Sequence, residues 1–228
     1  MNTKAKTVSE AIATRKTIRA FKPDPVPRAT IEEILTRAMR APSGGNLQPW
    51  RVYVLLGAAR DALVGRVAEV RKDHPMGSAP EYHVYPPKLT EPYRTRRFRI
   101  GEAMYATMAI PREDKAARLE FFAGNWDFFG ARCGLIFTMD RQMQEGQWAD
   151  LGMFMENIML LARERGLHTC PQEAWAVFHE TIREYLSVPA NEMIFCGMAI
   201  GHADDTAPVN SLHSERAPLS EIATFLEA

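Results

Sequence analysis

Apolar positions recur with helical spacing over most of this chain and with strand spacing over three short runs. Residues 7–15 read as a short helix, with Ser9 a candidate N-cap and Ile12 on its apolar side. In "VPRATIEEILTRAMRAP" the stripe Ile31, Ile34, Leu35 and Ala38 predicts a second helix, capped by Thr30 and boxed by Glu33, with Pro42 beyond its end. "RVYVLL", "CGLIFTMD" and "EMIFCGMAIGHA" are β-branched or apolar runs bounded by turn residues, and each reads as a core strand, the third ended by Gly201. "AARDALVGRVAEVRKD", "EAMYATMAI", "REDKAARLEFFAGNW" and "QWADLGMFMENIMLLARERGL" return to helical periodicity. The last of these is apolar on nearly every face, which suits a core or a subunit interface. A final helix follows Pro218 or Ser220. Helices separating three strands suggest an α+β or α/β layered fold, without internal repeat or linker, so one domain is expected over residues 1–228.

Residues 74–100 break the pattern. Five prolines and four aromatics there predict a long excursion without regular structure, either a lid or binding loop or a surface insertion.

The chain has 228 residues, enough for a proper core, and 46% hydrophobic with 25% charged residues is ordinary for a globular protein. Lys plus Arg and Asp plus Glu balance at 28 each, so no global field favours nucleic acid or an anionic membrane, and any anion site must be local. Cys133, Cys170 and Cys196 are widely spaced and form no CxxC, and no run approaches the ~18 apolar residues of a membrane span. A reduced, cytoplasmic, soluble protein is expected. The six histidines show no metal-binding spacing, and no GxGxxG, P-loop or GxSxG occurs, so no metal is expected and neither a nucleotide fingerprint nor a nucleophile elbow is signalled.

Three polar segments beside core elements carry what chemistry there is. "RKTIR" offers Arg15, Lys16, Thr17 and Arg19. "PSGGNLQPW" offers a hydroxyl, amides and two glycines that admit close backbone approach. "NSLHSER" offers Arg216. Cations for a phosphate and amides for a ring edge suit a phosphorylated planar cofactor; a solvated helix end is the bland alternative for the first cluster.

"RKTIRAF" followed by "APSGGNLQPWRVYVL", then "GLHTCPQEAW" and "SERAPLSEI", resembles the nitroreductase family of FMN-dependent dimeric flavoproteins, from about residue 9 to 226. The middle of the chain resembles the nitrobenzoate-reducing branch. The resemblance implies a nitroreductase-like α+β fold, with a central mixed, mainly antiparallel sheet flanked by helices and a lid or insertion region around 74–132. It implies a homodimer with shared active sites, the helix at 147–165 serving as its interface. FMN would be the cofactor and NADPH or NADH the donor, reducing a small nitroaromatic to the hydroxylamine by a ping-pong mechanism. Reductive dehalogenation, enal reduction, dehydrogenation of a biosynthetic intermediate and non-catalytic flavin binding are the alternatives.

Carried onto this sequence, Arg15 and Arg216 would hold the FMN phosphate. Lys16 and Thr17 would lie nearby, and Arg19 at the polar edge of the ring. Pro42, Ser43, Gly44 and Asn46 would line the flavin from the other subunit, and Pro171, Gln172 and Glu173 would pass the ring with a backbone N–H near N5. No side chain is singled out as catalytic, because the cofactor performs the chemistry. Tyr85, Tyr93, Arg96, Arg97, Phe128 and Phe129 are substrate-pocket candidates, with a solvated stripe or plain core as their alternative reading. Thr17 stands where serine is usual, Ala174 where glycine is common, and Ser214 where a second phosphate cation often lies. His213 or Lys16 would have to compensate for that cation.

Overall fold

The computed structural model describes residues 3–227. In chain order the helices are α1 (Val8–Thr14), α2 (Arg28–Ala38), α3 (Gly57–Asp73), α4 (Tyr93–Thr107), α5 (Lys115–Ala123), α6 (Glu145–Glu164), α7 (His179–Leu186) and α8 (Leu219–Ile222). The strands are β1 (Arg51–Leu56), β2 (Cys133–Asp140), β3 (His168–Gln172) and β4 (Glu192–Gly201), in the order β1-β2-β4-β3. All three strand pairings are antiparallel. The parallel component of the expected mixed sheet is one bridge, Thr17 to Thr169, on the outer edge of β3.

β2 is buried along seven of its eight residues because both faces are covered. Cys133, Leu135, Phe137 and Met139 point to one side, with Ile31, Ile34 and Ala38 of α2 and Leu151, Phe154 and Ile158 of α6. Ile136 points to the other, with Leu63 and Val67 of α3, Trp175, Phe128 and Ile182 of α7. Two glycines make the second face possible. A Cβ on Gly197 would stand 2.3 Å from Trp175 Cδ1, and one on Gly134 would stand 2.4 Å from Phe128 Cζ.

The register of β4 on β2 slips by one residue between Phe137 and Thr138, leaving Phe195 as an extra residue. Its carbonyl accepts a hydrogen bond from Tyr82 Oη at 2.6 Å, and the Tyr82 ring stacks on Phe195 at 5.1 Å. Glu81, next door, accepts from Ile194 N at 3.0 Å and pairs with Arg141 and Arg183. The excursion from residue 74 is thus latched onto the sheet at Glu81–Tyr82.

Several local expectations need correction. α1 is capped by Thr7, whose side chain accepts from Glu10 N, rather than by Ser9, which lies inside the helix. α2 begins after Pro27 with no side-chain cap, so Thr30 and Glu33 form no capping box; Glu33 instead pairs with Arg165 and Arg37. α2 closes at Met39, before Pro42. β3 was not expected as a strand, and α4 takes over residues 93–100, which were expected to be irregular. The closing helix is a single turn, entered through Pro218. Among the described residues no helix is long and apolar enough to cross a membrane.

Candidate functional site

α1 stops at Thr14, so the cations of "RKTIR" do not decorate a helix end; they sit on an extended segment sewn to the sheet edge. Ile18 N donates to Thr169 O at 3.0 Å, Phe21 N to Phe129 O at 3.2 Å and Lys22 N to His202 O at 2.9 Å. Ile18, fully buried, and Phe21 plug into the core on the α3 side of the sheet. Residues 15–17 and 19, between and beside these plugs, are thereby held at fixed positions and stay partly exposed. Arg15 Nε lies 3.6 Å from Glu156 Oε1 of α6, while the Arg19 guanidinium makes no ion pair among the described residues. Lys16 Nζ donates to Asn210 O at 2.5 Å, and burial, partly opposed by Asp205, holds its ammonium below the usual lysine range.

The Thr17–Thr169 bridge runs this segment alongside β3, whose end carries Pro171, Gln172 and Glu173. Gln172 is buried. Its Nε2 donates to Asn125 O at 2.8 Å, and its Oε1 has no partner among the described residues. Burial pushes the Glu173 carboxyl above the ordinary range. The thiol of Cys170, beside Pro171, is pushed up to about 12 by burial, against the pull of Arg19, and carries no nucleophile's character.

The loop 42–48 is anchored elsewhere. Gly44 N donates to Asp150 Oδ2 at 3.1 Å and Gln48 N to Ser43 Oγ at 3.0 Å. Gly45 and Asn46 both take φ of +58°, which turns the loop outward, and Pro42, Gly44 and Asn46 are exposed. Both anchors are on α6, but Asp150 and Glu156 are six residues apart, about 9 Å along the axis and roughly 120° around it. Within one chain, therefore, the loop and Arg15 are tied to different sides of α6.

The remaining candidates divide. Arg216 turns back on its own irregular segment, its Nη1 donating to Ser214 Oγ at 2.7 Å and Glu215 O at 2.8 Å. His213 Nδ1 lies 2.9 Å from Ser211 O, so its ring is locally engaged, as Lys16 is by Asn210. Tyr85 and Tyr93 are exposed; Arg97 lies 4.0 Å over the Tyr85 ring, and Arg96 pairs with Glu221 of α8 at 2.6 Å. The arginine stripe is thus partly engaged rather than wholly solvated. Phe128 and Phe129 are corrected: they are core, not pocket wall. Phe128 has no exposed surface and stacks on Trp175 at 4.4 Å, because the small Gly134 beneath it leaves room for the ring. A cavity beside Pro23, Val26 and Leu56 lies apart from these segments, and its buried cation, Arg60, is engaged by Ala131 O and Asp127.

Asp150, Asn210 and Tyr82 went unnoticed in the sequence. A lone carboxylate inside the apolar run "WADLGMF" was the available signal for Asp150. Asn210 and Tyr82 carried none, since their partners are distant backbone atoms.

The donor set along residues 15–19 fits a phosphate monoester. Arg15 is held only loosely, Arg19 makes no ion pair among the described residues, and a hydroxyl stands between them. The unsatisfied Gln172 Oε1 beside it fits a polar-edged ring needing an acceptor.

The family model described as "Nitroreductase family" matches residues 12–202. The chain is 39% identical over 223 residues to a chloronitrobenzene nitroreductase of Comamonas testosteroni, covering 96% of each. It is 40% identical over 215 residues to a 4-nitrobenzoate reductase of Pseudomonas putida, covering 94% of this chain and 93% of that one. The crystal structure of NfnB from Sphigopyxis sp. strain HMH, described as FMN and NADPH-dependent, superposes with a TM-score of 0.94 at 44% identity, covering 97% of this chain and all of the other.

Proposed function

The chain belongs to the nitroreductase family, and we propose that it is an FMN-dependent oxidoreductase that spends NAD(P)H on nitroaromatic compounds. The observation that carries the reading is the sewn-down segment Arg15–Arg19 beside Gln172, an anchored cation row next to an unsatisfied buried acceptor. Arg15 and Thr17 would hold the phosphate, Arg19 the polar edge of the ring, and Pro171, Gln172 and Glu173 its flank. Arg216 joins the phosphate set by leaving its local turn, where it is bound only by exposed neighbours. When bound there, FMN would supply two-electron transfer between the nicotinamide donor and the oxidant, and two such rounds, each spending one NAD(P)H and one further proton, would take a nitro group to nitroso with loss of water and then to hydroxylamine.

The protein's own part is binding, orientation and polarity. Fixed cations neutralise the phosphate, and the backbone after Gln172 offers a donor where a reduced ring gathers charge. Arg96, Arg97, Tyr85 and Tyr93 present exposed guanidinium and aromatic surface suited to a substituted nitroarene, the arginines to a carboxylate.

A homodimer completes the site. Pro42, Ser43, Gly44 and Asn46 of the partner subunit would face the cation row, since within one chain the loop and Arg15 are tied to different sides of α6. Exposed apolar side chains on α1 (Val8, Ile12), α6 (Met153) and the tail (Phe225, Leu226) supply a face for the second copy. NADPH is favoured as donor by the likeness to NfnB. The chain is read as one FMN-binding domain, working in the cytoplasm, where its three free, buried thiols stay reduced.

An anaerobic spectrum tests this. The purified protein should show flavin bands that bleach on adding NADPH, less so NADH, and return on adding 4-nitrobenzoate. A colourless protein that takes up no FMN would refute it.

A further inference from the structure

An extended segment needs partners for both sides of its backbone, and for residues 18–21 backbone groups supply only part of them. Ile18 N and Phe21 N are paired to Thr169 O and Phe129 O. The Arg19 N–H has no backbone partner among the described residues, and the Ala20 carbonyl accepts from Asp204 N at 3.0 Å with a lone pair to spare; one side chain reaches both. Asn210 Oδ1 accepts from Arg19 N at 2.8 Å, and Asn210 Nδ2 donates to Ala20 O at 2.8 Å and to Asp204 O at 2.9 Å. Its backbone carbonyl takes the Lys16 ammonium at 2.5 Å. The residue is 1% exposed, and both its amide protons and its oxygen are used. Among side chains only an amide of this length presents donor and acceptor together at that spacing: aspartate lacks the donor, leucine both.

We propose that Asn210 is a positioning residue that sets the aim of the cation segment Arg15–Arg19, and so makes the site select a flavin ending in a phosphate over one without it. The inference rests on the reading that this segment holds the FMN phosphate. Asn210 itself is buried behind the segment and touches no ligand. Charge-assisted bonds to a phosphate are directional, so a row of donors that loses its backing loses that contribution first. The flank of the ring rests on β3, which Asn210 does not touch, and Arg19 is the one residue of this segment assigned to the ring, so most ring contacts survive while the phosphate set loses its aim.

The test compares FMN with riboflavin, its unphosphorylated counterpart, by fluorescence titration of apo-protein, wild type against Asn210→Ala and Asn210→Gln. Both replacements are neutral, so no new charge repels the phosphate. Glutamine keeps the amide but moves it one methylene, which guards against a variant that does not fold. Wild type should bind FMN well above riboflavin. Each variant should weaken FMN on the order of tenfold or more, the loss expected for a misdirected charged hydrogen bond, and riboflavin by less than about threefold. An FMN-to-riboflavin ratio unchanged in the folded variants would overturn the proposal, because a merely structural asparagine weakens both flavins alike. A wild-type protein that binds both flavins equally would instead sink the phosphate reading beneath it.

Discussion

The guanidinium of Arg15 lies 3.6 Å from a half-exposed carboxylate, whereas the ammonium of Lys16 sits 2.5 Å from the carbonyl of Asn210. Adjacent cations thus differ in what they can give a ligand. The Arg15–Glu156 contact is long and open to water and adds little stability, so the guanidinium is available. Lys16 is already committed, and moving it would leave a buried carbonyl without its donor. Arg15→Gln should therefore weaken FMN binding by roughly 10- to 100-fold, as expected for loss of a charged hydrogen bond, with little change in thermal midpoint. Lys16→Met should cost stability more than affinity. Titration and thermal melts of both variants check this, and the reverse ranking would contradict it. The cations themselves were legible in the sequence because they cluster. Their division of labour was not, since it depends on a carbonyl 194 residues away along the chain.

At the level of elements, what could be read from the sequence followed what each element buries. β2 and β4 were legible because their apolar runs are covered on both faces. β1 was legible from its β-branched and aromatic residues, although it is an edge strand that buries only Leu55 and not the core strand expected. β3, "HTCPQ", is short, polar at its first two positions and carries a proline, which an edge strand tolerates and a pattern search discounts. The second half of α4 was legible in "EAMYATMAI", but its start at 93–100 was not, since the helix buries no residue and offers no apolar stripe there. The latch at Glu81–Tyr82 was invisible for another reason: a β-bulge frees the carbonyl that Tyr82 uses, and no local signal announces the bulge. The latch has a pH signature. Burial alone would push the Glu81 carboxyl up, but the bonds from Arg141 and Ile194 N and the charge of Arg141 outweigh it and hold the group below its ordinary range. A depressed folded value means that this stabilisation is fully present above the unfolded value near ~4.3 and is lost as pH falls through the folded one. Urea unfolding should find Glu81→Gln less stable than wild type at neutral pH, with the gap closing below about pH 4. A gap that stays constant down to acid pH would show that the carboxylate's charge is not what holds the loop.

For the whole molecule, the geometry of α6 makes a testable demand. Its Asp150 fixes the loop at Gly44 and its Glu156 lies by Arg15, on sides of the helix turned away from each other. If each site joins the cation row of one chain to the loop of the other, defects in the two halves complement. Arg15→Gln damages the row. Gly44→Trp blocks the loop at an exposed position where an added Cβ meets nothing closer than 3.9 Å, and a thermal melt checks that the variant stays folded. Each variant alone should have little nitroreductase activity. In a mixed dimer one site collects both defects and the other collects neither. Co-refolding the two variants in equal amounts makes half the dimers mixed, so about a quarter of wild-type activity should return. A site contained in one chain would give every site one defect in every combination, and no activity would return. The recovered fraction thus reads the architecture directly, independently of which nitroarene is used as oxidant.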